Sequence, residues 1–207
     1  MISHAVVMGM VSVAVAISGF VVMPRVARAQ VAEAQGETAK PGVNPRAEAV
    51  NAFNKRVGDY LGVRKKAESG MPGLTETDDP AKIASREKAL SDAVKKLRMR
   101  AKAGDVFGTD MTPLIVEIVR ADWNRRPAID RAAFLEGMPN PFVPTVNMRY
   151  PVGQPLMTFP PTLLNKLQQL PEDLEYRFVG RDLILRDVKA NMIVDVIRHA
   201  IPSSRPS

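Results

Sequence analysis

The chain has 207 residues, no cysteine, two histidines and a formal charge of +7, which excludes disulfides, thiolate metal sites and cysteine nucleophiles. Apolar residues make up 45% and charged residues 25%, a globular balance that fits one domain with or without a flexible arm. Aromatics amount to 5%, with Trp123 the single tryptophan, which predicts an aliphatic core and argues against base stacking with single-stranded nucleic acid.

The first 29 residues read as an export signal. Residues 5–23 carry no charge, Pro24 breaks any helix, and Ala27-Arg28-Ala29 gives the small-x-small pattern of a signal peptidase site. Cleavage would fall between Ala29 and Gln30. The front of the segment, Met1-Ile2-Ser3-His4, has no lysine. About 19 apolar residues also approach the length of a bilayer span, so an uncleaved inner-membrane anchor over 5–23 is the alternative. Arg25 and Arg28 would then favour a cytoplasmic location for the rest of the chain. Pro24 and the alanine pair favour cleavage, and with it a periplasmic or secreted product. Removing Arg25 and Arg28 from 29 basic residues against 22 acidic ones lowers the charge to +5.

Residues 30–43 are polar and alanine-rich and predict a disordered arm. Asn44-Pro45 is a helix start, a capping side chain followed by a residue preset for the first turn. Val50, Phe53, Val57, Tyr60 and Leu61 then recur at helical spacing to about Ala67, and 69–77, with Gly70, Pro72 and Gly73, reads as a loop. Asp79-Pro80 repeats the start signal. Ile83, Leu90, Val94, Leu97 and Ala101 carry a second helix until Gly104, with acids early and bases late, as the helix dipole favours. Thr112-Pro113 opens a third helix with Leu114, Ile115, Ile118, Val119 and Trp123 on one side, and a fourth, short helix is expected over 128–136.

From Gly137 the pattern changes. Seven prolines between Pro139 and Pro161 keep the connector extended, with 146–150 a possible edge strand. Residues 162–170 predict a short amphipathic helix ended by Pro171. Strands are expected over 175–179 and 182–187, joined by a two-residue turn at Gly180-Arg181. A third strand over 192–197 competes with a helical spacing of Val188, Met192 and Val196; the β-branched Val188, Ile193, Val194, Val196 and Ile197 favour the strand.

The expected architecture is α+β. A helical N-terminal half of three to four helices (44–137) and a connector (138–161) lead to a short helix and a three-stranded antiparallel meander (162–202). Together these form a single domain over 44–202, with 203–207 a disordered tail.

Ala103-Gly104-Asp105-Val106-Phe107, Val119-Arg120-Ala121-Asp122-Trp123 and the run 170–201 resemble an uncharacterised family of secreted bacterial proteins. The likeness spans about residues 80–202. It implies export and an α+β domain, and it brings no activity and no site residues.

Candidate chemistry is sparse. After cleavage His199 is the one histidine, with Asp195, Ser203 or Ser85 as conceivable partners, and no nucleophile elbow surrounds it. Carboxylates could run glycoside hydrolysis without histidine. Asp182, Asp187 and Asp195 on the expected strands and Glu172, Asp173 and Glu175 before them are the candidates, though turn closure and solvation explain them as readily. Asp78-Asp79 lacks the spacing of a calcium loop, and no cofactor or metal is implied. Basic clusters occur at Lys55-Arg56, at Arg64-Lys65-Lys66 and along Lys95, Lys96, Arg98 and Arg100. The last forms a candidate face for an anionic partner. The favoured expectation is an exported, non-catalytic module binding an envelope protein or an anionic surface, without nucleic acid. The alternative is a carboxylate-dependent hydrolase acting on envelope glycan. An added strand at a sheet edge is a further conceivable mode of binding.

Overall fold

A computed structural model describes residues 44–73, 77–138 and 142–203. The leader, the Ala29–Gln30 cleavage point, the arm at 30–43 and residues 204–207 of the expected tail lie outside the described residues. No described helix is long and apolar enough to cross a membrane.

Two helices begin by the same device. The Asn44 side chain accepts from the Arg46 N–H at 3.0 Å and opens α1, Pro45–Ser69. The Asp79 side chain accepts from the Ala81 N–H at 2.9 Å and opens α2, Pro80–Leu97. In each, proline occupies the first turn, where its missing N–H has no intrahelical partner to lose. α1 buries Phe53, Val57, Tyr60, Arg64 and Ala67 in one stripe, so an arginine holds a place in the buried row. α2 buries Leu90 and Val94, whereas Ile83 and Leu97, expected on its apolar stripe, are exposed.

α3, Gly108–Arg125, starts five residues earlier than a Thr112 cap followed by Pro113 suggests. Pro113 is tolerated inside because the carbonyl that would have received its N–H belongs to Thr109, an exposed residue that water can serve. Met111, Ile115, Val119 and Trp123 form its buried row. α4, Ala128–Glu136, lies where expected, while α5 covers only Pro161–Leu164 instead of 162–170. Past Leu164 the chain leaves the helix, and the Gln168 carbonyl accepts from the Tyr176 hydroxyl at 3.0 Å rather than from a helical amide.

The sheet is an antiparallel meander of β1, Leu174–Val179, β2, Asp182–Asp187, and β3, Met192–Ile197, in the order β1-β2-β3. Among the described residues, five helices and this sheet make the α+β fold. Both faces of the sheet are covered. Leu174, Tyr176, Phe178, Leu183, Leu185, Met192 and Val194 join the main core with the helices. Val179, Ile184, Ile193 and Val196 form a second cluster with Tyr150, flanked by Phe142, Val146 and Met148. Double burial explains the unalternated apolar triplets, Leu183-Ile184-Leu185 in β2 and Met192-Ile193-Val194 in β3.

The expected edge strand at 146–150 is a bridge to β3. The Asn147 N–H donates to Ile193, the Ile193 N–H to Met148, and the Tyr150 N–H to Asn191, at 2.8–2.9 Å. On the other edge, the two-residue hairpin turns the backbone groups of Tyr176 and Phe178 away from β2, yet these residues are only 2% and 4% exposed. The sheet edges therefore offer little template for an added strand.

The sparse aromatics are concentrated, against the expectation of an aliphatic core. Phe53, Phe107, Tyr176, Phe159, Phe178, Phe134 and Trp123 form a continuous chain of ring contacts, with centroids 5.1–6.4 Å apart. Composition counts rings; only the fold gathers them.

Candidate interaction face

α2 ends at Leu97, and the reason is Arg98. Its backbone leaves the helix with φ −117° and ψ 32°, and its side chain turns inward. The guanidinium donates to Asn147 Oδ1 at 3.0 Å and to the Val194 carbonyl at 3.2 Å, and lies over the Tyr60 ring at 4.9 Å. Asn147 answers by donating from Nδ2 to the Arg98 carbonyl at 2.8 Å. Asn147 itself sits at φ 63°, a left-handed conformation that asparagine tolerates better than most residues. Burial pulls the Arg98 pKa below the ordinary arginine value, partly offset by the nearby Tyr60, Asp195 and Asp105.

Of the four residues of the expected basic face, Arg98 is therefore a half-buried bracket. Lys95, Lys96 and Arg100 remain exposed. Because Arg98 points in, its neighbours point out: Leu97 is 46% and Met99 81% exposed. Among the described residues, neither Lys95, Lys96, Arg100 nor Lys102 has an ion-pair partner. Of the nearby acids, Asp59 pairs with Lys55 and Asp92 with Lys88, each at 2.8 Å, while Asp105 lies beside the turn itself and accepts from the Lys102 backbone N–H at 2.9 Å. Between this turn and α1 lies an open cleft of about 500 Å³, lined in part by Arg56, Asp59, Lys96, Met99, Arg100 and Asp105.

The wall of the cleft is built by the loop before α3. Its amides from Gly104, Val106 and Phe107 converge on the Asp195 carboxylate at 2.7, 2.8 and 2.8 Å. Arg56 closes the other side, donating to the carbonyls of Val106 and Phe107 at 2.8 and 2.9 Å and to Asp110 at 2.6 Å. The hydrogen bond from Arg56 holds the Asp110 carboxyl below the usual aspartate range. Gly108, at φ +75°, leaves the room: a Cβ there would stand 2.4 Å from the Arg56 guanidinium nitrogen. Sequence reading placed Arg56 in a basic cluster and gave no sign of this role, since its partners lie 50 and more residues away.

The acids weighed for hydrolysis are tied into the chain. Asp187 is fully buried, accepting from the Tyr60 hydroxyl at 2.6 Å, Arg64 at 3.4 Å and the Ala190 N–H at 2.9 Å. Burial, together with Asp187, pushes the Tyr60 hydroxyl far above the normal tyrosine value. Asp195 is equally buried, facing amides. Asp173 bonds Arg64 at 2.7 Å and Lys189 at 3.1 Å, Glu175 bonds Arg177 and Arg186 at 2.5 and 2.6 Å, and Asp182 bonds Arg198 at 2.6 Å. Glu172 is exposed. His199 is exposed as well; its backbone N–H donates to Asp182 at 2.9 Å, and Ser85 and Ser203 lie on the surface without a hydrogen bond to its ring. Among the described residues no three acids or histidines converge on a point where a metal could sit.

No family model, curated protein or solved structure matches the chain.

Proposed function

We propose that the protein is an exported, non-catalytic module whose exposed turn at 95–102 binds an envelope protein or an anionic component of the cell envelope. The observation that carries this reading is the turn itself. Five basic residues and no acid occupy eight consecutive positions, and two apolar side chains stand out between them on a backbone held from behind. A preorganised, predominantly basic surface of this kind, with four cations outward and Asp59 and Asp105 on the wall of the adjoining cleft, attracts an opposite charge without the entropic cost of ordering a loop. The engagement of Asp187 and Asp195 by donors of the chain itself supports a structural use for them rather than proton transfer.

The test is capture from a periplasmic extract by the protein in the form isolated from cells, its N terminus read by mass spectrometry. The expected first residue is Gln30. The triple variant Lys95→Glu, Lys96→Glu, Arg100→Glu should lose the captured material, with Arg98 left in place because it braces the interior. Undiminished capture would remove this face from the account. An intact Met1 on a soluble cytosolic species would remove export.

A further inference from the structure

Resting on the reading above, we propose that the surface seated on the 95–102 turn is an anionic lipid bilayer, with Leu97 and Met99 entering the boundary between headgroups and acyl chains. Lys95 and Lys96 before them in the chain and Arg100 and Lys102 after them, all exposed, meet the lipid phosphates.

Three features favour lipid over other anionic partners. The cations come with exposed apolar groups, Leu97 at 46% and Met99 at 81%, which a hydrophilic acidic polymer would leave with nothing to contact. The cations are mostly lysines on flexible stems, and the apolar tip is an unbranched methionine. Protein interfaces instead concentrate affinity in aromatic and arginine anchors seated in fitted pockets. The large hydrophobics exposed among the described residues include no aromatic ring. A fluid headgroup layer demands no shape complementarity and accepts such a tip at any azimuth.

Charge complementarity is local: Lys95, Lys96, Arg100 and Lys102 outnumber the acids beside them, of which Asp92 pairs with Lys88, Asp59 pairs with Lys55 and Asp105 accepts from the Lys102 amide. The reciprocal bonds between Arg98 and Asn147 hold the turn outward in the free protein, so little ordering accompanies docking. Each basic residue near an anionic leaflet strengthens binding by about fivefold. Binding through four of them is therefore reversible and sensitive to salt.

The chain has no cysteine, so Met99→Cys can carry a single environment-sensitive fluorophore. Val152→Cys, at a position 84% exposed, provides the control. Both are mixed with vesicles containing phosphatidylglycerol and with vesicles of phosphatidylcholine alone. The probe at 99 should shift to the blue on the anionic vesicles only, the probe at 152 should stay unmoved, and high salt should reverse the shift. The charge-reversal triple variant should weaken vesicle binding at least about a hundredfold. An equal shift on neutral vesicles, a shift at 152 in place of 99, or no shift at all overturns the proposal. If vesicles leave the probe unmoved while the triple variant still abolishes capture from extracts, the lipid assignment falls and the interaction face stands. If neither responds, both fall.

Discussion

Asp195 shows what a single buried carboxylate contributes when every donor around it is a backbone amide. Its two oxygens accept from Gly104, Val106, Phe107 and its own neighbour Val196, and so fasten the loop before α3 to the last strand. Asparagine has nearly the same shape, but one of its two terminal atoms donates, and here it would face donors. Asp195→Asn should therefore cost about 3–5 kcal/mol, since buried amides lose a charged acceptor. Tyr60→Phe should cost less, about 1–2 kcal/mol, because Asp187 keeps Arg64 and Ala190 as partners. Urea midpoints at constant slope measure both. An Asp195→Asn protein with an unchanged midpoint would remove the bracket role and reopen a chemical one.

Among the elements, β3 has a feature that aims this side chain. Arg186 pairs with Ile193 and Leu185 with Asp195, so Val194 is an extra residue on β3 over the same span of β2. The bulge lets Val194 enter the main core while Asp195 reaches the 104–107 loop, a re-aiming that strict alternation forbids. The end of α2 is set similarly, by the groups that lie behind it. Asn147→Gly keeps the left-handed backbone available and removes only the bridge to Arg98. It should lower stability by about 1–3 kcal/mol and speed amide exchange over 98–101, with the middle of α1 unaffected. Unchanged exchange there would assign the turn to the Val194 contact alone.

At the scale of the whole molecule, the two halves share one core through the aromatic chain from Phe53 to Trp123, and ion networks tie the sheet to α1 and to the turns around it. These networks give a pH profile. Burial opposes ionisation of Glu175 and Asp173, but hydrogen bonds from Arg177 and Arg186, and from Lys189 and Arg64, hold both below their ordinary values. Asp110 and Asp92 are lowered too, though they are exposed and weigh less. A folded value below the unfolded one stabilises at higher pH, so this contribution is complete above about pH 5 and fades as pH falls through 4 and below. Tyr60, Tyr176 and Tyr150 are raised by burial, so their contribution holds below the unfolded tyrosine value of about 10 and is lost above it. Urea midpoints against pH should form a plateau with a fall on each side. A midpoint that rises between pH 5 and 3 would contradict the acid arm.

The features legible from residues alone are those that depend on near neighbours. Asn44-Pro45 and Asp79-Pro80 begin helices because the cap and the bond it accepts are two positions apart. Gly180-Arg181 closes its hairpin because a tight turn leaves the chain no other register. Lys95, Lys96 and Arg100 were visible as members of a basic run, and their exposure follows the general cost of burying an unpaired charge. Tertiary structure alone decided the rest. It turned Arg98 inward toward Asn147 and Val194, 49 and 96 positions away, and so stopped α2 short and pushed Met99 out. It buried Asp187 against Tyr60 across 127 positions and Asp195 against amides across 88 to 91. A charged side chain has the same local signature whether it faces water or a partner, and its role is fixed only by which distant donor or acceptor the packed chain delivers to it.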